Sequence, residues 1–221
     1  MGLNNIHEHN INIKTREIFL IPNWYGEDNS DPGIDYKLAQ MFLKNILLLD
    51  SMNHKPIIVH QFSTGGDWDS GMTMYDAIKH VQSPVVMVMH GTAISCGTVV
   101  PQAANYRYIM PNCTFMIHVG TTDISDSLTH KQAQSWAKHE EKLQEKMLEI
   151  YTQSCMKAPF FQNYTKEKVK EFISQLMDKH DDCFLVPAEV VKYGFADDIL
   201  YGGSSQLAYL TKKLEEECTQ N

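Results

Sequence analysis

Apolar and polar positions along the chain follow two periods that alternate from one segment to the next. REIFLI (16–21) reads as a short strand. From Ile34 to about Met52 the apolar positions 38, 41, 42, 46, 48, 49 and 52 return at helical spacing and predict a mostly buried helix. KPIIVHQF and PVVMVMH are apolar almost throughout, the pattern of strands covered on both faces. Between them MTMYDAIKHV sets Met74, Tyr75, Ile78 and Val81 on one helical face, with Asp69 or Ser70 as the expected cap. YRYIM and CTFMIHV predict two more strands, separated by the turn residues Pro111 and Asn112. A long charged helix is expected from about Thr129 to Tyr151 and a second from Thr165 to about Lys179, a pair whose surface suits contact between subunits. Pro187 and Gly194 bound a short helix, FADDIL predicts a final strand, and a charged helix follows; NWYGEDNSDPG (23–33) reads as a loop.

This alternation of strands and helices places the chain in the α/β class, and 221 residues suffice for one domain with its own core. Composition supports that picture: 43% hydrophobic and 21% charged residues are ordinary for a globular protein, and no run reaches the roughly 18 apolar residues of a membrane span. The five cysteines (96, 113, 155, 183 and 218) are odd in number, dispersed and without a C-x-x-C pair, which predicts free thiols in a reducing compartment. The first ten residues lack the marks of a signal peptide, a transit peptide or a myristoylation site, so a cytoplasmic location is expected. A net charge of −8 without any Lys/Arg cluster argues against nucleic acid as a partner. No H-E-x-x-H or similar set occurs, and no catalytic metal is expected, although His7 and His9 could loosely hold an adventitious ion.

Candidate chemistry begins with MHGTAISCGT (89–98). Ser95 directly follows an apolar strand and opens a helix, where unpaired N–H groups favour an anion. Spacing alone leaves two readings open, a nucleophile or a serine capping the helix. His118 ends the strand CTFMIHV and reads either as a general base or as a hydrogen-bonded core imidazole. Asp182 lies near Asp178 and Asp181 in a stretch that also reads as a solvated acidic turn, and the pattern does not choose among the three. Gly65 and Gly66 follow a strand, either as an ordinary turn or as glycines that aim backbone N–H groups inward.

Taken in order, the Gly-Gly turn with G-M-x-x-Y-D-x-I, then G-x-A-x-S-x-G, then P-N-x-x-x-M-I-H and F-L-x-x-x-E-x-x-x-Y-G-x-x-D resemble the proteolytic subunit of the ATP-dependent Clp protease, ClpP, over about residues 16 to 200. The resemblance implies a ClpP/crotonase-type spiral of β-β-α units with a protruding handle helix. It implies a short N-terminal segment (1–15), one protease domain (16–203) with the handle around 119–160, and a C-terminal helical tail (204–221). Ser95 matches the nucleophile, His118 the base and Asp182 the orienting carboxylate; the backbone N–H groups of Gly66 and Cys96 match the oxyanion donors. His60, His80, Val88, Tyr108 and Met110 match the apolar pocket that receives the docking loops of the partner ATPase. The implied assembly is a homo-oligomer, a heptameric ring stacked into a tetradecamer, which degrades unfolded proteins. An AAA+ unfoldase feeds it; ATP is used there, and this chain binds no cofactor.

The chain departs from the family pattern in several places. Only fifteen residues precede REIFL, against a longer family stretch that forms axial loops. Thr64 replaces the proline of a Pro-Gly-Gly turn, and the strand after His118 carries only Gly120. APFFQNYTKEKV reads as an insertion before Asp182, and Pro101 falls inside the helix that Ser95 opens, where proline normally costs about 3 kcal/mol. Two alternatives accompany the peptidase reading: a catalytically silent ring subunit, and an acyl-CoA enzyme of the crotonase type, which shares the spiral fold but not this serine motif.

Overall fold

One long central strand organises the architecture. The computed structural model describes residues 3–21, 33–120 and 127–218. In chain order these form α1 (Leu3–His9), β1 (Ile11–Asn12), β2 (Glu17–Leu20), α2 (Tyr36–Met52), β3 (Ile57–Ser63), α3 (Trp68–His80), β4 (Val85–Ile94), α4 (Cys96–Val99), β5 (Tyr106–Ile109) and β6 (Thr114–Ile117). Then come α5 (His130–Cys155), α6 (Lys166–His180), β7 (Cys183–Leu185), α7 (Pro187–Lys192), β8 (Asp198–Ile199) and α8 (Gly203–Cys218). Strands β2, β3, β4, β5 and β8 run parallel in that order, with β1 antiparallel at one edge. The far end of β4 pairs in parallel with β6, and β6 pairs antiparallel with β7. The predicted α/β spiral fold is thereby present.

The first half of β4, residues 85–89, is apolar throughout because both of its faces are covered. Val85, Met87 and Met89 face a core built with α2, α3 and the second half of α5, whereas Val86 and Val88 face a smaller cluster with Leu200, Leu207, Leu210 and Leu214. These five β4 residues are fully buried. The expected loop at 23–33 lies outside the described residues except for Gly33.

Several boundaries differ from those expected. Helix α3 begins at Trp68, capped by Asp67 rather than by Asp69 or Ser70: the Gly65–Gly66 turn runs straight into the helix, and Asp67 Oδ1 accepts the Ser70 N–H at 2.8 Å. Strand β4 continues four residues past His90 because β6 supplies it with a second partner. FADDIL contracts to the two paired residues of β8, and the three-residue β7 was too short to carry a period of its own. Pro101 does not interrupt an α-helix. Helix α4 ends at Val99, and Pro101 sits in the first turn of a 3-10 segment, Val100–Ala103. The carbonyl four residues earlier, Gly97 O, accepts Gln61 Nε2 from β3 instead (2.5 Å). The stretch before Asp182 that reads as an insertion forms a packed aromatic corner, where Phe160 and Phe161 meet Tyr164, Phe172 and Tyr193.

An ion pair between the buried Arg107 and the partly exposed Asp197 fastens β5 to the segment after α7. Arg107 Nε and Nη2 donate to both carboxylate oxygens of Asp197 (3.0 and 2.6 Å), while Nη1 reaches Gln102 Oε1 and Gly194 O (2.5 and 3.0 Å). Asp197 is the last residue of the Y-G-x-x-D motif, which this contact explains. Asp197→Ala removes the charged partner of a buried guanidinium and is expected to lower the unfolding free energy by about 1.5–3 kcal/mol in urea denaturation, whereas a loss under about 0.5 kcal/mol would contradict the assignment.

Candidate active site

Strand register brings three chain positions to one point. Ile94 pairs with Met116 in parallel, and Ile117 pairs with Cys183 antiparallel. Ser95 follows the end of β4, His118 follows the end of β6 and Asp182 precedes the start of β7, so each emerges one residue beyond a paired strand end at the same edge. His118 Nε2 lies 2.7 Å from Ser95 Oγ, and His118 Nδ1 lies 3.4 Å from Asp182 Oδ1. The imidazole side chain is 20% exposed and the Asp182 side chain 59% exposed. Of the other two aspartates, Asp178 accepts from Ser174 Oγ (3.3 Å) and Asp181 occupies the C-cap position of α6.

Ser95 stands at the N-cap position of α4, yet its hydroxyl makes no capping bond. Its backbone is at φ 54°, ψ −128°, a conformation that costs a non-glycine residue on the order of 1–3 kcal/mol and that surrounding bonds must enforce. The Ser95 N–H donates to Met116 O (3.0 Å), and Ser95 O accepts the Thr98 N–H (2.8 Å) and the Thr98 hydroxyl (2.6 Å). The geometry is that of a serine lifted from a sharp strand-to-helix turn and presented to an imidazole.

The glycine turn packs against this serine. Gly65 and Gly66 have φ of +95° and +138°; a Cβ on Gly65 would fall 2.6 Å from Ser95 Cβ, and one on Gly66 only 2.4 Å from Ile34 O. The Ile34 N–H donates to Gly65 O, and the Asp67 N–H to Ile34 O. Among the described residues the N–H groups of Gly66 and Cys96 have no backbone or side-chain acceptor. A hydroxyl, an imidazole and two unused amide donors around one turn have the parts needed for acyl transfer. The Cys96 thiol is no rival nucleophile: burial, with Asp67 adding to it, pushes it up to about 12. Among the described residues no three His, Cys, Asp or Glu side chains converge as a metal site, and no helix is long and apolar enough to cross a membrane.

Comparison with known proteins settles the family. The family model described as Clp protease matches residues 30–202. The chain belongs to the Clp protease family. Relatives include the ATP-dependent Clp protease proteolytic subunit of Deinococcus radiodurans, 28% identical over 170 residues (76% of each chain), and subunit 2 of Treponema denticola, 28% identical over 190 residues (85% of this chain, 82% of that protein). Subunit 2 of Tropheryma whipplei is 29% identical over 180 residues, 80% of this chain and 88% of that protein. Among solved structures, a point mutant of ClpP1 from Listeria monocytogenes has a TM-score of 0.68 at 24% identity, covering 86% of this chain and 94% of that one, a likeness of fold.

The residues matched to the Clp family's docking pocket are only partly together. His60, Val88 and Tyr108 form one row across β3, β4 and β5, with Met110 beside it, and helix α8 packs Leu207, Leu210 and Leu214 over Val88 and Tyr108. His80 is exposed in the last turn of α3, on the layer that covers the other face of the sheet. His60 stacks on Phe19 (ring centroids 5.3 Å), its Nδ1 lies 3.0 Å from His90 Nε2, and its Nε2 lies 3.7 Å from Glu17 Oε1. Burial holds both imidazoles below the ordinary 6.5, with Glu17 partly opposing it at His60 and the His60 charge adding to it at His90. The unfolded chain therefore binds protons here more readily than the folded protein, and stability is lost as pH falls below 6.5 towards the lowered folded values. Thermal unfolding from about pH 7.5 to about pH 5.5 is expected to show this loss, diminished in His60→Gln/His90→Gln; an equal loss in that variant would count against it.

Proposed function

We propose that this Clp-family chain is an active serine endopeptidase subunit, with Ser95 as nucleophile, His118 as general base and Asp182 as the carboxylate that orients the imidazole. His118 takes the Ser95 proton through Nε2 as Oγ attacks a peptide carbonyl, and then gives it to the leaving amine. The Gly66 and Cys96 N–H groups receive the oxyanion, and water hydrolyses the acyl-enzyme by the same steps. The single observation that carries the reading is the 2.7 Å approach of His118 Nε2 to Ser95 Oγ in place of a capping bond.

Family membership supports the rest. Residues 130–146 of α5 have no buried side chain, and Trp136 is 47% exposed, so this stretch lacks the packing that normally sustains a helix and suits contact with another subunit. The proposed assembly is a heptameric ring, stacked in pairs, that receives unfolded protein from an AAA+ unfoldase which spends the ATP. Because α8 lies over Val88 and Tyr108, the proposal does not rest on an open docking pocket there.

A silent structural subunit is the second reading, favoured by one observation: the Asp182 carboxylate is 3.4 Å from the imidazole and largely exposed. Hydrolysis of a fluorogenic peptide by the assembled protein separates the two. The peptidase reading expects Ser95→Ala and His118→Ala to lose at least about a thousandfold in kcat/KM, and Asp182→Asn a smaller loss of about ten- to a hundredfold, because a solvated carboxylate orients its partner weakly. Wild-type turnover no greater than that of Ser95→Ala would establish the silent subunit.

A further inference from the structure

We propose that Tyr151 and Thr98 are positioning residues for the reaction, a buried hydroxyl chain reaching from α5 that aims the Cys96 N–H at the substrate oxyanion. The proposal rests on the reading of Ser95 as nucleophile. The Ser95 carbonyl and the Cys96 N–H belong to one planar trans peptide unit and point in opposite directions. Whatever fixes the carbonyl therefore fixes the amide donor on the other side of the turn. Two bonds hold that carbonyl, both from Thr98: its N–H at 2.8 Å and its hydroxyl at 2.6 Å.

The Thr98 hydroxyl has one proton, which it gives to Ser95 O. Its contact with Tyr151 OH at 2.6 Å must then be one in which the phenol donates. Tyr151 and Thr98 are both 0% exposed, so water does not compete for either hydroxyl. The phenol ring is fixed edge-on against Phe195 (centroids 5.4 Å). Burial also raises the Tyr151 phenol well above its ordinary value, which keeps it a donor across the working pH range. The chain phenol, hydroxyl, carbonyl ends on the peptide unit that carries the oxyanion donor, and aligned donors of this kind polarise one another. Because Tyr151 lies on α5, the order of that helix and the aim of the amide are mechanically linked.

Steady-state kinetics on a fluorogenic peptide, with concentrations corrected by active-site titration and with inhibition by a peptide boronate, test this in the full-length assembled protein. Tyr151→Phe is expected to lower kcat about three- to tenfold and Thr98→Val about tenfold or more, with KM unchanged and boronate affinity falling by the same factor. Thr98→Ser, which keeps the hydroxyl, is expected to stay near wild type. Should Thr98→Val fail to fold, Tyr151→Phe against Thr98→Ser still decides the matter. Wild-type kcat per titrated site in Tyr151→Phe, or a rise in KM alone, overturns the proposal. An inert wild type refutes the reading of Ser95 itself, an outcome distinct from variants that match an active wild type.

Discussion

Ile94 pairs with Met116 and Ile117 with Cys183, and everything at the site depends on those two registers. A strand has a period of two, so a slip of one residue would turn each side chain to the opposite face and part the three groups. Strand β4 makes the arrangement possible by outrunning the strands beside it. Its first half is bound between β3 and β5, and its last residues reach β6. The Ser95 N–H to Met116 O bond then extends the pairing one step past the strand end, into the turn itself.

Holding Ser95 at positive φ is unfavourable by itself, and the neighbourhood offsets it with contacts that tolerate little change. Gly65 and Gly66 leave no room for a side chain between the Ser95 turn and Ile34. Pro101 releases the Gly97 carbonyl to Gln61 and so ties the helix after Ser95 back to β3. Arg107 and Asp197 tie β5 to the segment after α7. The site is thus the place where sheet, glycine turn and proline-shortened helix meet, which is why the serine is strained and yet well fixed.

Much of the fold was legible because the first half of β4 is buried on both sides and lacks polar interruptions, whereas β3, expected to be covered on both faces, alternates buried and half-buried positions. PVVMVMH announced itself, as did the helical faces of α2 and α3. What escaped was set by tertiary context: β7 has three residues and gains its identity only by pairing with β6, and the extension of β4 through Gly91 depends on the same partner. Ser95 and His118 were identifiable as candidates from strand-end positions and from the resemblance to ClpP. The pattern could not choose among Asp178, Asp181 and Asp182, since the choice is made by the register of a strand too short to be read. Thr98 and Tyr151 were missed entirely, for they lie 53 residues apart, and neither a threonine in a short helix nor a tyrosine on the buried face of a charged one gives a local sign of its hydrogen bond.

The account turns on whether Ser95 is activated by His118. Treatment of the assembled protein with a serine-directed fluorophosphonate, followed by mass spectrometric mapping, measures that directly. The expected result is an adduct on Ser95, abolished in Ser95→Ala and slowed at least about a hundredfold in His118→Ala. An assembled wild-type protein that forms no adduct on Ser95, or forms it equally fast without His118, would contradict it.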